Sequence, residues 1–381
     1  MIPLSVPYLE GNELKYVEQC IKTGWISSAG EYVNTFEESI KNYVSSSHAI
    51  ACMNGTVGLQ IALHVAGVRK SDMVLTTNLT FVATLNSISY CDATPVLFDI
   101  DKKTWQIDLN LVQMWLDENT ALESHDGQLI CKHKQTHQKI SAIVPVHVLG
   151  GMVDMDKLLE ISKTYHIPII EDSTEALGSF YNGQHSGTFG RMGVFSFNGN
   201  KIISTGGGGM VVTNHPDLAK KTKHLTTTAK TSQLDYFHDE VGYNYRLVNV
   251  LAAIGVAQME NFDLILKKKK TITQTYLNEL SELEELIFQE HYPRTSPNGW
   301  LFTFRSPKSR ELLNHMNKQK IQARPFWTPM NMLPMYSKCE YVNRNDVTAQ
   351  IFKECVSIPS SSNLSSLDQE KVVETIKNFY K

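Results

Sequence analysis

Short apolar runs alternate with helix-spaced segments through the first 260 residues. His48–Met53 (HAIACM), Asp72–Thr77 (DMVLTT), Thr94–Asp101 (TPVLFDID) and Ile167–Asp172 (IPIIED) read as buried strands. GTVGLQIALHVAG has helical spacing, with Gly55 and Thr56 at its entry. KISAIVPVHVLG reads as a strand leading into the helix DMDKLLEISKTYH, which Asp154 can cap. GVFSF and GGMVVTN flank Lys201 and also read as buried strands. Strands separated by helices of this length predict an α/β chain with a mostly parallel sheet covered on both faces. Such sheets place their sites at the carboxyl ends of the strands.

The texture changes after Ala257. MENFDLILKKKKTITQTYLNELSEL reads as one long helix, followed by shorter elements. The expected division is a large domain over 1–260 and a smaller carboxy-terminal domain over 261–381. The run Lys267–Lys270 inside that helix reads as a solvated face. The polar stretch 123–139 interrupts the alternation and reads as a surface insertion. It holds Cys131, His133 and His137, but their spacing fits no standard zinc module, and no metal is expected.

Composition narrows the function. The 36 basic and 39 acidic side chains leave a net charge of −3, against the basic excess usual in nucleic-acid binders. No apolar stretch is long enough for a membrane span. The opening MIPLSVPYLEGNELKY lacks a signal peptide's basic end and apolar block, so a cytoplasmic address is expected. Cys20, Cys52, Cys91, Cys131, Cys339 and Cys355 include no C-x-x-C pair and read as reduced thiols.

The candidate chemistry centres on SFNGNKIISTGGGG, Ser196–Gly209. A phosphate-binding loop needs its glycines before the lysine, and here they follow Lys201. The flanking strands exclude a linker. Lys201 therefore sits on a tight connection where glycines permit close approaches. Taken alone, it reads as a surface turn residue. EDSTEALG sets Glu171 and Asp172 at the end of an apolar strand. Adjacent strand residues point to opposite faces, so both cannot enter one site unless the strand has ended. Asp172 can equally cap the next helix.

Asp172, Ser196 and Lys201, carried by EDSTEALG, GVFSFNGNK and GYNYRL, occur in an order that resembles the DegT/DnrJ/EryC1/StrS sugar aminotransferases. GWISSAGEYVNTFE, NGTVGLQIAL, LTFVATLNSISYCDATPVLFDID and NVLAAIGVAQME fall in the expected order across nearly the whole chain. The resemblance implies the aspartate-aminotransferase fold (fold type I), with a mixed, mostly parallel sheet and a smaller α+β domain. It also implies pyridoxal 5'-phosphate, passing through pyridoxamine 5'-phosphate, and an obligate homodimer with composite sites.

The resemblance further implies individual roles. Lys201 would bond the cofactor aldehyde and then shuttle a proton as a free amine. Asp172 would pair with the pyridine nitrogen and keep it protonated. Glu175 matches a position that contacts the ring or its 3′ oxygen, where many relatives carry Gln or His. Phe81 would stack on the ring. Gly55, Thr56 and Ser196 would hold the phosphate, at a helix amino end. Asn244 would reach the phosphate from the partner chain.

The substrate implied is a nucleotide sugar, with L-glutamate as amino donor. Most of the family reads E-G-G after the lysine loop, and this chain has Gly207 in place of the glutamate. NGNKIISTGGGG is similar to the subgroup acting on UDP-linked 4-keto-6-deoxy-N-acetylhexosamines in bacillosamine and legionaminic acid pathways. QARPFWTPM then offers Arg324, Phe326 and Trp327 to the sugar nucleotide; Arg324 suits a pyrophosphate or a structural ion pair. Other readings are amination at C3, a GDP- or dTDP-linked sugar, a sugar deoxygenase, or a scaffold. Lys201 speaks against the deoxygenase, whose relatives carry His there, and retention of every cofactor position speaks against the scaffold.

Overall fold

The computed structural model describes residues 1–232 and 234–381. Every apolar run of the large domain becomes a strand, in most cases shorter than the run itself. His48–Cys52, Met73–Thr77, Thr94–Phe98, Ile140–Val144, Ile170–Asp172, Met192–Ser196 and Gly209–Thr213 build one twisted sheet in two groups. The groups meet through single parallel bridges, Ile143 to Ile169 and Val146 to Asp172. Gly209–Thr213 runs antiparallel between His48–Cys52 and Met192–Ser196, and the other pairings are parallel. This is the mixed, mostly parallel sheet that the resemblance implied.

The helix Gly55–Val65 shows why the layers pack closely. Asn54 caps it by accepting the Val57 N–H at 3.0 Å. Its apolar residues lie on the sheet, and Gly58 allows close contact: a Cβ there would sit 2.9 Å from Val194 Cγ1. Asp154 caps Met155–Tyr165 as expected, accepting the Lys157 N–H at 3.2 Å.

Two expectations change. The long helix expected from Met259 is broken: Asn249–Glu260 ends at Asn261 (φ −105°, ψ 8°), and Phe262–Leu280 starts anew. The lysine run is not a wholly solvated face. Lys267 and Lys270 are exposed, whereas Lys269 is 2% exposed and points inward. The polar insertion forms the hairpin Thr120–His125/Gln128–His133. His133 Nδ1 there accepts the N–H groups of Gln135 and Thr136, so the ring closes a turn.

Beyond Leu280, Ile287–Phe288, Phe302–Arg305, Cys355–Ile358 and Arg324–Pro325 form an antiparallel sheet. Phe304, Leu312, Val356 and Ile376 join Tyr276 in its core. We propose residue 260 as the division between domains, with several segments crossing it, among them Thr295–Ser296, which pairs with Phe180–Tyr181. Tyr341–Val342 returns to pair with Leu97–Phe98 at the edge of the large sheet. Residues 2–6 run the other way: Ile2 bonds Lys320 and Gln322, Leu4 bonds Ser360, and the Val6 N–H reaches Ser361 Oγ. Among the described residues, no helix is long and apolar enough to cross a membrane.

Candidate active site

The carboxyl ends of the strands converge on a cavity of about 330 Å³. Gly55, Thr56, Phe81, Thr84, Asp172, Glu175, Ser196, Lys201, Gly207, Trp300 and Trp327 are among its lining residues. A cavity of about 580 Å³ near Leu159, His166 and Arg191 holds none of the residues singled out from sequence, so volume alone does not locate the chemistry.

Strand alternation separates the two adjacent acids. Asp172 turns into the cavity, where Oδ2 accepts the Thr84 hydroxyl at 2.8 Å and Oδ1 the Thr174 N–H at 3.2 Å. Glu171 turns away and accepts the N–H groups of Gly187, Phe189 and Gly190, each at 2.7 Å. Its Oε2 also lies 3.1 Å from His147 Nε2, whose Nδ1 accepts the Val153 N–H. Nε2 therefore carries the proton and donates to the carboxylate. Asp172 faces the site and Glu171 braces a loop.

The glycine run shapes the lysine loop. Gly206 has φ +82°, a left-handed turn that favours glycine. A Cβ on Gly208 would lie 2.4 Å from Thr205 Oγ1, and one on Gly209 would lie 2.6 Å from the Asn54 carbonyl. Gly209 thus lets its strand meet the start of the helix Gly55–Val65. Gly207 differs, since a Cβ there would meet only the Met53 carbonyl, at 4.0 Å. The loop closes through Phe197 N–H to Gly208 O at 2.8 Å and Thr205 N–H to Phe197 O at 2.9 Å.

This closure leaves Lys201 Nζ 3.8 Å from Glu175 Oε1 and 4.2 Å from the centre of the Trp300 ring. Burial holds the Lys201 ammonium below its ordinary range, against the opposing charges of Glu175 and Asp172. Burial also pushes Glu175 up to about 7, although Lys201 and the Leu149 N–H pull it down. Such an amine has access to its neutral, nucleophilic form, with a carboxyl group beside it.

The cavity fits pyridoxal phosphate. The first-turn N–H groups of a helix lack partners within the helix and suit a phosphate. The Gly55 and Thr56 N–H groups open beside Ser196, and the approach at 55 is close, since a Cβ there would meet Ser196 Cβ at 3.0 Å. Asp172 is a carboxylate fixed by two donors, suited to a pyridinium nitrogen. Phe81 is 55% exposed at the cavity edge, open to a ring rather than committed to core.

The remaining residues are placed unevenly. Trp327 lines the cavity and stacks on Trp300 at 6.3 Å. Phe326 does not line it; it is buried beneath, 4.7 Å from the Trp327 ring and 6.3 Å from Trp105. Arg324 is exposed outside the cavity and makes no ion pair with a described residue. Asn244 is also exposed and outside the cavity of its own chain, backbone-bridged to Thr227. The sequence reading missed Thr84, Trp300 and Asn298. The signal for Thr84 was its position three residues after Phe81, on the helix Ala83–Ser89 facing Asp172.

Residues 7–377 match the DegT/DnrJ/EryC1/StrS aminotransferase family. EpsN of Bacillus subtilis, provisionally named a pyridoxal phosphate-dependent aminotransferase, is 34% identical over 385 residues, covering 100% of this chain and 96% of its own length. The GDP-perosamine synthase of Caulobacter vibrioides is 34% identical, covering 98% of this chain and 97% of its own. Spr1654 of Streptococcus pneumoniae, provisionally named a sugar aminotransferase and solved in its PMP form, superimposes with a TM-score of 0.88 at 21% identity over 99% and 98% of the two chains. The lysine, the anchored carboxylate and the phosphate-fitting helix end thus occur in a chain that belongs to the DegT/DnrJ/EryC1/StrS family and is a pyridoxal-phosphate-dependent sugar aminotransferase.

Proposed function

We propose that this chain moves an amino group from L-glutamate to C4 of a UDP-linked 2-acetamido-2,6-dideoxy-hexos-4-ulose. The observation that carries the sugar choice is Gly207. It lines the cavity, has no side chain where most of the family has glutamate, and leaves free space on that wall. The space favours a sugar with a bulky, neutral 2-acetamido group.

Pyridoxal phosphate, when bound, stores the amino group between the two half-reactions and takes up the electrons freed at the reacting carbon. Lys201 would hold it covalently at rest and move the proton at the donor carbon with Nζ. Glu175, raised towards neutrality, would lie ready to exchange a proton with that amine. Asp172 would keep the ring nitrogen protonated. Gly55, Thr56 and Ser196 would take the phosphate, with Phe81 on the ring face. Asn244 would complete this shell from a partner subunit in a homodimer. Its exposure, among exposed Leu234, Tyr236 and Val241, supports that reading. We further propose Trp327 as a sugar-nucleotide contact, and a cytoplasmic address.

A second reading, a GDP-linked 4-keto-6-deoxy sugar, is supported by the likeness to a GDP-perosamine synthase. Assaying UDP-, GDP- and dTDP-linked ketosugars side by side separates the two. At least tenfold higher kcat/KM for the UDP-acetamido sugar is expected, and a preference for the GDP sugar would reverse the choice. Borohydride should fix the cofactor onto Lys201, and Lys201→Ala should abolish both the attachment and transamination.

A further inference from the structure

We propose that Trp300 is a positioning residue for Lys201, pinning the lysine's peptide through its indole N–H and confining the amine under its ring, with Lys269 as its buried anchor. The proposal rests on Lys201 being the amine that bonds the cofactor, and not on which ketosugar is aminated.

The peptide between Asn200 and Lys201 is held on both sides. Its carbonyl accepts Trp300 Nε1–H at 2.7 Å and the Ser5 hydroxyl at 3.2 Å. Its N–H donates to Asn198 O at 2.9 Å. The Trp300 ring then covers Lys201 Nζ at 4.2 Å, and Trp327 stacks behind it at an interplanar angle of 21°. Both indole contacts thus converge on one residue.

Trp300 is itself fixed by its main chain. Its N–H donates to Asn298 Oδ1 at 2.9 Å, and its carbonyl accepts Lys269 Nζ at 2.9 Å. Lys269 Nζ also donates to Ser360 O in the smaller domain. Asn298 Nδ2 donates to the carbonyls of Glu175 and Leu177 at 2.8 and 2.9 Å. Gly299 between them has φ +70°, and a Cβ there would lie 2.7 Å from Thr273 Oγ1. Residues 298–300 therefore form a rigid bridge from the turn carrying Glu175 to the loop carrying Lys201. A tryptophan needed only for packing would not require its N–H aimed at the carbonyl next to the reactive lysine.

Two measurements on Trp300→Leu and Trp300→Phe test this. In cofactor-free protein, hydrogen exchange of peptides spanning 198–206 should quicken about tenfold in both, since both lose the indole donor; the strand Met192–Ser196 should not change. Exchange unchanged within twofold overturns the clamp. In the loaded enzyme, Trp300→Leu should lower kcat at least tenfold. In a Lys201→Ala background rescued by a small exogenous amine, the same change should leave the rescued rate within twofold. Equal losses in both backgrounds overturn the proposal and assign Trp300 to the substrate. If Trp300→Leu does not fold, Trp300→Phe, which keeps a ring over Nζ, carries both measurements. Failure of borohydride to attach the cofactor to Lys201 would overturn the parent assignment, on which the exchange result does not depend.

Discussion

Lys269→Met tests how a lysine survives in the interior. The substitution keeps the chain length and removes both the charge and the donors. Lys269 is 2% exposed, bonds two carbonyls, and pairs with no carboxylate among the described residues. Burial pushes it from its ordinary 10.5 down to about 7. That gap is worth about 4–5 kcal/mol, at roughly 1.36 kcal/mol per pH unit. Below pH 7 both folded and unfolded chains hold the proton, and folding bears the whole cost of burying the charge. From pH 7 to 10.5 only the unfolded chain holds it, so stability contributed by this site climbs with pH. Methionine removes the climb and leaves two carbonyls without a donor, at about 1–3 kcal/mol. The deficit of Lys269→Met relative to wild type should therefore widen by about 2–3 kcal/mol between pH 6 and pH 9. Urea unfolding of both cofactor-free proteins across that range measures it. A deficit constant within about 0.5 kcal/mol would refute the reasoning, because a charge-neutral packing loss has no pH dependence.

Three further outcomes are expected. Gly209→Ala drives a methyl group against the Asn54 main chain and should cost about 1–3 kcal/mol with weaker cofactor retention, read by urea midpoint and by dialysis. Glu171→Ala strands three N–H donors and His147 and should cost at least about 3 kcal/mol, seen in thermal unfolding. Glu175→Gln concerns an acid raised from 4.5 to about 7: between those values the folded chain alone holds the proton, so wild-type stability falls as pH rises. The cofactor-free variant should lose that fall, gaining up to about 3 kcal/mol over wild type at pH 8, and equal pH profiles would contradict the assignment.

What was legible followed local rules. Asp172 and Glu171 are neighbours on a strand, and period-two alternation alone assigns them to opposite sides. The bracketing apolar strands placed Lys201 on a tight connection, but taken alone it read as a surface turn residue, and only the family resemblance implied its role. The glycine run was recognisable as a constraint, but the separate task of each glycine was not, since Gly208 and Gly209 answer to neighbours that only the fold brings near. Trp300 was invisible because SPNGWLF carries no period, and its partners Asn200, Lys201 and Lys269 lie far away in sequence. The inward turn of Lys269 was hidden by its three like-charged neighbours. Phe326 was assigned outward beside Trp327, yet only Trp327 reaches the cavity wall.

The strap of residues 2–6 has a bearing on how the chain matures. Leu4 depends on Gln322, 318 residues away, and Val6 on Ser361, 355 residues away. Such distant pairings form late, because loop closure must precede them. Ser5 braces the Asn200 carbonyl from this strap, so the outermost tie on the lysine loop depends on residues 322 and 361 holding the strap in place. A chain cut short before that point would present Lys201 on a loop missing one of its fastenings, so a segment far from the site in sequence still bears on how firmly the Lys201 amine is held.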